Sequence, residues 1–150
     1  MTVTSTSIDI AAPAGIIFAF AAATARWPLI LPHYRYVRVR ERAGRRQIVE
    51  MAAWRDIFPL HWVAEQIDDP ERPHIAFRHI AGPTRGMEVE WGFEPAPTGT
   101  RVTIEHRLTF AFPVAADWVG KHVVSDYFIA GVAERTLRCM KQIAEAAGGA

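Results

Sequence analysis

A single cysteine, Cys139, excludes an internal disulfide, and no CxxC or Cys/His spacing suggests zinc. No metal is expected. Cys139 falls in an amphipathic stretch, where a buried structural thiol is the default reading. Charge of one sign is also scarce. Seventeen Lys and Arg against sixteen Asp and Glu leave a formal charge of +1. Bulk electrostatics therefore offer little to a nucleic acid, and none is expected as a partner. The local exception is Arg35, Arg38, Arg40, Arg42, Arg45 and Arg46. Glu41 lies among them and the stretch has a strand–turn–strand pattern, so it reads as a solvated sheet face and its turn. Long hydrophobic runs are missing. Residues Ala11 to Ala25 are apolar but short and contain Pro13 and Gly15, and the N-terminal residues lack a basic segment followed by an apolar one. Neither a signal peptide nor stable membrane insertion is expected, and the default location is cytoplasmic. There is no repeat, no linker, no Gly-rich phosphate loop and no nucleophile motif. No cofactor is expected.

What is present suits one domain. The chain has 150 residues, half of them hydrophobic, enough for a single core. Thr2–Ile10, rich in Thr, Val and Ile, reads as a strand. Pro13 suits the first turn of a helix running to about Ala23. Trp27–Pro32 is a compact apolar segment, a short helix or a tight loop. Period-two patterns then predict strands at Tyr34–Glu41, Arg46–Arg55, Leu60–Ile67, His74–Ile80, Arg85–Glu94 and Arg101–Phe112. Gly44, the Asp68–Pro73 cluster, Gly82-Pro83 and Pro95–Gly99 supply the turns. Ala115–Ala147 reads as one long helix. Sequential strands with short turns and helices set apart imply an α+β fold with an antiparallel meander.

Alternation separates the faces. Met87, Val89, Trp91 and Phe93 share one face, as do Val102, Ile104, His106, Leu108, Phe110 and Phe112. Arg101, Thr103, Glu105 and Arg107 lie opposite. On the helix, Ile129, Val132, Thr136, Cys139, Met140 and Ile143 form a stripe opposed by Glu134, Arg138, Lys141 and Glu145. The helix is expected to pack on Met87, Val89, Trp91, Ile104 and Leu108.

This element order resembles the START-like (SRPBCC) superfamily. So do three local stretches: Ile8–Phe18, Arg85–Trp91 and Gly99–Ile104. The resemblance covers essentially the whole chain as a single domain. It implies a helix-grip fold, a curved antiparallel sheet wrapped around a long C-terminal helix. Trp27-Pro28, Trp54-Arg55 and Met87…Trp91 look closest to the aromatase/cyclase branch, whose aromatic residues shape a pocket faced by an arginine from an early strand. Arg55 matches that arginine. The small hydroxyl residue that accompanies it in the branch is replaced here by Ala53.

Several polar residues share inward phases. His106 lies between Ile104 and Leu108, His79 follows Ile75 and Phe77, and Arg55 shares a phase with Val49, Met51 and Ala53. Ser125 and His122 align with Ile129 and Val132. A lone histidine on an apolar strand face is commonly a hydrogen-bonded core residue. Two histidines, an arginine and a serine together suit a ligand cavity better than a packed core. The expected catalytic residues are Arg55, His79 and His106. Trp27, Tyr34, Trp54, Trp62, Met87, Trp91 and Ser125 are expected to bind ligand, with Trp27 and Trp118 near the pocket mouth. The expected partner is a hydrophobic or aromatic small molecule, and the protein is expected to be a monomer or homodimer. Two functions remain open. One is a cyclase, aromatase or dehydratase in which Arg55 stabilises an enolate and a histidine moves the proton. The other is a non-catalytic carrier or sensor of a lipid, quinone or aromatic metabolite. A third, weaker reading is an interaction module, because Val123 and Tyr127 fall off the main helix stripe.

Overall fold

A computed structural model of the chain describes residues 2–108 and 126–148. Among the described residues, seven strands form one sheet: β1 (Thr2–Ile10), β2 (Tyr34–Ala43), β3 (Arg46–Arg55), β4 (Phe58–Asp69), β5 (His74–Ala81), β6 (Glu88–Ala96) and β7 (Gly99–Leu108). Helices α1 (Ala14–Ala22) and α2 (Trp27–Ile30), with a 3-10 turn at Thr24–Arg26, connect β1 to β2, and α3 (Ala130–Gly148) comes last. The strand order is β1-β7-β6-β5-β4-β3-β2, antiparallel throughout. The α+β helix-grip arrangement expected from the sequence is the observed one.

Local chemistry explains the turns. Gly44 takes φ 60° between β2 and β3. Asp69 Oδ1 accepts from the backbone N–H groups of Glu71 and Arg72 at 3.1 and 3.2 Å, closing β4 onto β5. Gly99 lies so close to the end of β1 that a Cβ there would stand 2.2 Å from the Ile10 carbonyl oxygen.

Several boundaries differ from expectation. β4 begins at Phe58 and takes in Pro59. Trp54 N–H donates to the His33 carbonyl at 2.7 Å, so the Trp54–Pro59 pair is the kind that exchanges no hydrogen bonds, and proline costs the ladder nothing. β6 begins at Glu88 rather than Arg85, because Gly82 (φ 108°) and Gly86 (φ 92°) fold the preceding residues into a loop. Met87 belongs to that loop and is still buried. The described part of the last helix begins at Ala130, preceded by a wider π-type turn over 126–129. The expected helix start at Ala115 and the expectations for Phe110, Phe112, Trp118, His122, Val123 and Ser125 fall outside the described residues.

The core lies between the concave sheet face and α3. Ile129, Ala133, Thr136, Leu137, Met140 and Ala144 are buried, while Val132, Cys139 and Ile143 are half-buried. Each fully buried Leu, Ile or Met contributes about 1.5–3 kcal/mol. The helix leans toward β1 and α1. Lys141 Nζ donates to the Asp9 carbonyl at 3.0 Å, and the Glu145 carboxylate accepts from Ala11 N–H at 2.8 Å. Met87, Val89, Trp91, Ile104 and Leu108, expected to pack on the helix, belong to one buried cluster with its Ile129, Ala133, Leu137 and Met140, and the first four also line a cavity under its first turns.

The other face of β2–β4 carries the arginines, which are largely paired. Arg40 and His61 meet Glu50 at 2.7 and 2.9 Å, Arg46 meets Glu65 at 2.7 Å, and Arg45 meets Glu71 at 3.0 Å. Hydrogen bonds from His61 and Arg40 hold the Glu50 carboxyl down at about 2.

Candidate functional site

The cavity measures about 120 Å³. Strand alternation supplies one residue after another to it: Tyr34 from β2, Met51 from β3, Leu60 and Trp62 from β4, Phe77 and His79 from β5, Val89 and Trp91 from β6, Ile104 and His106 from β7. Thr84 and Met87 come from the β5–β6 loop. Phe128, Ile129, Val132, Ala133 and Thr136 supply the helix wall. Trp27 closes the floor. Its ring lies 5.0 Å from that of Tyr34 and 5.7 Å from that of Trp91, and its indole N–H donates to the Phe20 carbonyl at 3.3 Å.

His79 and His106 are both in this cavity. The His79 ring stacks on Trp62 with centroids 5.5 Å apart and 4° between planes, and its Nδ1 shares a 2.7 Å hydrogen bond with the Thr84 hydroxyl. Burial, and then the neighbouring His106, push its pKa down to about 3. His106 is lowered to about 4 by burial, and its buried Nδ1 has no hydrogen-bond partner. Both rings are neutral at pH 7. Burial raises the Tyr34 hydroxyl well above the ordinary phenol range, so it stays protonated.

Sequence reasoning missed His33. It is buried, and its Nε2 lies 2.8 Å from Thr136 Oγ1. The Thr136 hydroxyl lies 2.8 Å from both His33 Nε2 and the Val132 carbonyl. His33 Nδ1 is buried with no partner. Burial and the nearby Arg135 lower the His33 pKa to about 4. The available signal was Thr136, a hydroxyl on an apolar helix stripe that needed a partner. His33 itself sits in an aperiodic loop. Thr136 faces both His33 and the cavity.

Of the expected site residues, Trp27, Tyr34, Trp62, Met87, Trp91, His79 and His106 line the cavity together. Trp27 is 3 % exposed. Two residues lie elsewhere. Trp54 is on the outer face, 39 % exposed with the Arg35 guanidinium 4.9 Å over its ring, because β3 alternation sends it opposite to Ala53. Arg55 ends β3 and reaches past the cavity to the start of α3. There its Nε donates to the Tyr127 carbonyl at 2.8 Å. Ser125 lies outside the described residues. No group of three or more His, Cys, Asp or Glu among the described residues could hold a metal, and no described helix is long and apolar enough to cross a membrane.

Comparisons with known proteins agree with the fold. Residues 10–126 match the model of the family described as polyketide cyclase / dehydrase and lipid transport. The chain is 32 % identical over 108 residues to the granaticin polyketide synthase bifunctional cyclase/dehydratase of Streptomyces violaceoruber, covering 70 % of this chain and 33 % of that protein. It is 28 % identical over 102 residues to a putative polyketide cyclase of Streptomyces cyaneus, covering 66 % of this chain and 67 % of that one. The chain thus spans about a third of the granaticin relative. Among solved structures it is similar to the ZhuI aromatase/cyclase of Streptomyces sp. R1128, with a TM-score of 0.77, 19 % identity, and coverage of 95 % of this chain and 93 % of that one. It also resembles the di-domain aromatase/cyclase StfQ of steffimycin biosynthesis, with a TM-score of 0.85 and 19 % identity, covering 99 % of this chain and 52 % of that one. The chain belongs to the polyketide cyclase/dehydrase and lipid transport family.

Proposed function

We propose that this family member binds an apolar or aromatic small molecule in the cavity and acts on it as a polyketide cyclase, aromatase or dehydratase. The observation that carries this reading is the pair His79, buried, and His106, half-buried, both neutral and neighbours in an aromatic-walled cavity. Imidazoles are suited to general acid–base work. One takes a proton from a methylene flanked by carbonyls. The carbanion forms a carbon–carbon bond to a second carbonyl of the same chain. The imidazolium formed in the first step returns that proton to the oxygen formed there, and loss of water follows. The walls hold a flexible chain in one fold, which is itself a large part of the rate. Arg55 has no part in this scheme, since its guanidinium is engaged at the start of α3.

Product analysis with a poly-β-keto substrate tests the proposal. His106→Gln and His79→Gln are expected to lower turnover by about 10²- to 10⁴-fold. Affinity, read by fluorescence titration, should stay within about threefold. Unchanged products in both variants would remove the histidines from the chemistry.

One observation favours a carrier as the second reading. The arginine that would stabilise an enolate lies outside the cavity lining. A wild-type protein that binds aromatic ligands and changes none of them would establish this reading.

A further inference from the structure

Arg55 is held from four sides. Its Nε donates to the Tyr127 carbonyl at 2.8 Å and its Cζ stands 4.3 Å from the centre of the Tyr127 ring. Its Nη1 lies 3.5 Å from Asp56 Oδ1. Its guanidinium also rests on Gly131, where an added Cβ would lie 2.3 Å from Nε and 2.7 Å from Cζ. The Tyr127 hydroxyl donates to the other Asp56 oxygen, so hairpin tip and helix start are joined twice. Phe58 adds ring contacts with Tyr127 and Phe128 at 6.2 and 5.7 Å.

One feature of this contact runs against local preference. Asp56 holds φ 55°, a left-handed conformation where glycine is usual. What the contact holds is the π-type turn over 126–129 and the first turn of α3, which carry Phe128, Ile129, Val132 and Ala133 into the cavity wall.

We infer that Arg55 is a positioning residue. With Asp56, Tyr127 and Gly131 it clasps the start of α3 to the β3–β4 hairpin and so sets how fast a ligand passes this wall. The inference rests on the cavity being a ligand site. A wall that opens and closes changes entry and exit together, whereas a ligand-touching residue changes chiefly exit.

Gly131→Ala and Asp56→Gly test it, because each improves local backbone preference while undoing the clasp. Alanine expels the guanidinium from its seat, and glycine removes the carboxylate from a turn it suits. Helix propensity alone predicts slower amide exchange in Gly131→Ala. The clasp predicts the opposite, with amides 128–133 exchanging about tenfold faster in both variants. Stopped-flow binding of 1-naphthol should show association and dissociation both about fivefold faster, with Kd within about threefold. Unchanged or slowed exchange in both variants would overturn the clasp, as would a faster dissociation with unchanged association. Failure of the wild type to bind 1-naphthol would count against the ligand class, while the exchange arm still decides the clasp.

Discussion

Two buried polar clusters share this fold, and they differ in what surrounds them. Under α1, Thr24, Gln47 and Gln66 form a closed network. Thr24 Oγ1 donates to Gln66 Oε1 at 2.8 Å, and Gln47 Nε2 donates to the same oxygen at 2.9 Å. Gln66 Nε2 donates to the Ala22 carbonyl and to Asp68 at 3.0 and 2.8 Å. Each amide finds its partners within the protein, and the result fastens the α1–α2 segment to β3 and β4. Beneath α3, His106 and His33 each keep a buried nitrogen with no partner, and His106 borders open space. A satisfied network specifies a fold; an unsatisfied one beside a cavity leaves capacity for a ligand.

A substitution in the core breaks the first cluster. Gln66→Met leaves Thr24 and Gln47 facing an apolar side chain, which costs about 1–3 kcal/mol for the groups left unpaired. A fall in Tm of about 3–10 °C is expected by calorimetry. His106→Met removes a ring whose buried Nδ1 has no partner to strand, so Tm is expected within about 2 °C of wild type. Equal losses in the two variants would erase the distinction between the clusters.

The next effect sharpens it through pH. His33, His79 and His106 have folded pKa values of about 4, 3 and 4, below the ordinary 6.5. Below pH 6.5 the unfolded chain binds protons that the folded chain refuses. Stability is therefore full above pH 6.5 and falls as pH drops toward 4. Each histidine steepens the loss by up to about 1.4 kcal/mol per pH unit. Urea titrations at pH 7.5, 5.5 and 4.5 should show the fall, and His106→Gln should recover about a third of it. Glutamines 47 and 66 do not titrate, so the first cluster contributes no such slope.

The smallest effect compares the two faces of the sheet. Trp62→Ala removes a cavity wall and the stacking partner of His79, and should weaken 1-naphthol binding by about tenfold. Trp54→Ala changes the outer face, where binding should stay within about twofold and stability within about 0.5 kcal/mol. Equal losses of affinity would mean that Trp54 belongs to the site.

Much of this was legible in the residues. Thr2–Ile10 and Arg46–Arg55 begin and end where their patterns do. Inward phase placed His79 and His106 correctly because alternation acts over two residues and the core demands one apolar face. For Arg55 phase left the pocket and Asp56 both open, because a long side chain at a strand end can reach past the face its Cβ points to, and the Asp56 contact is present. Trp54 was chosen from the resemblance, against its own strand phase, and phase prevailed. Met87 kept its inward position although its strand starts later, since burial was set by the loop folding back through two glycines.

What the sequence determined by itself, then, was the strand and helix order and which side chains face inward. Those follow from periodicity, and periodicity is local. Tertiary structure decided the rest. His33 meets Thr136 across 103 positions, Arg55 meets Tyr127 across 72, and the cavity is the gap between sheet and helix. A gap belongs to no single segment. Its size depends on where α3 settles against β1 and α1, and no pattern within one element specifies that distance.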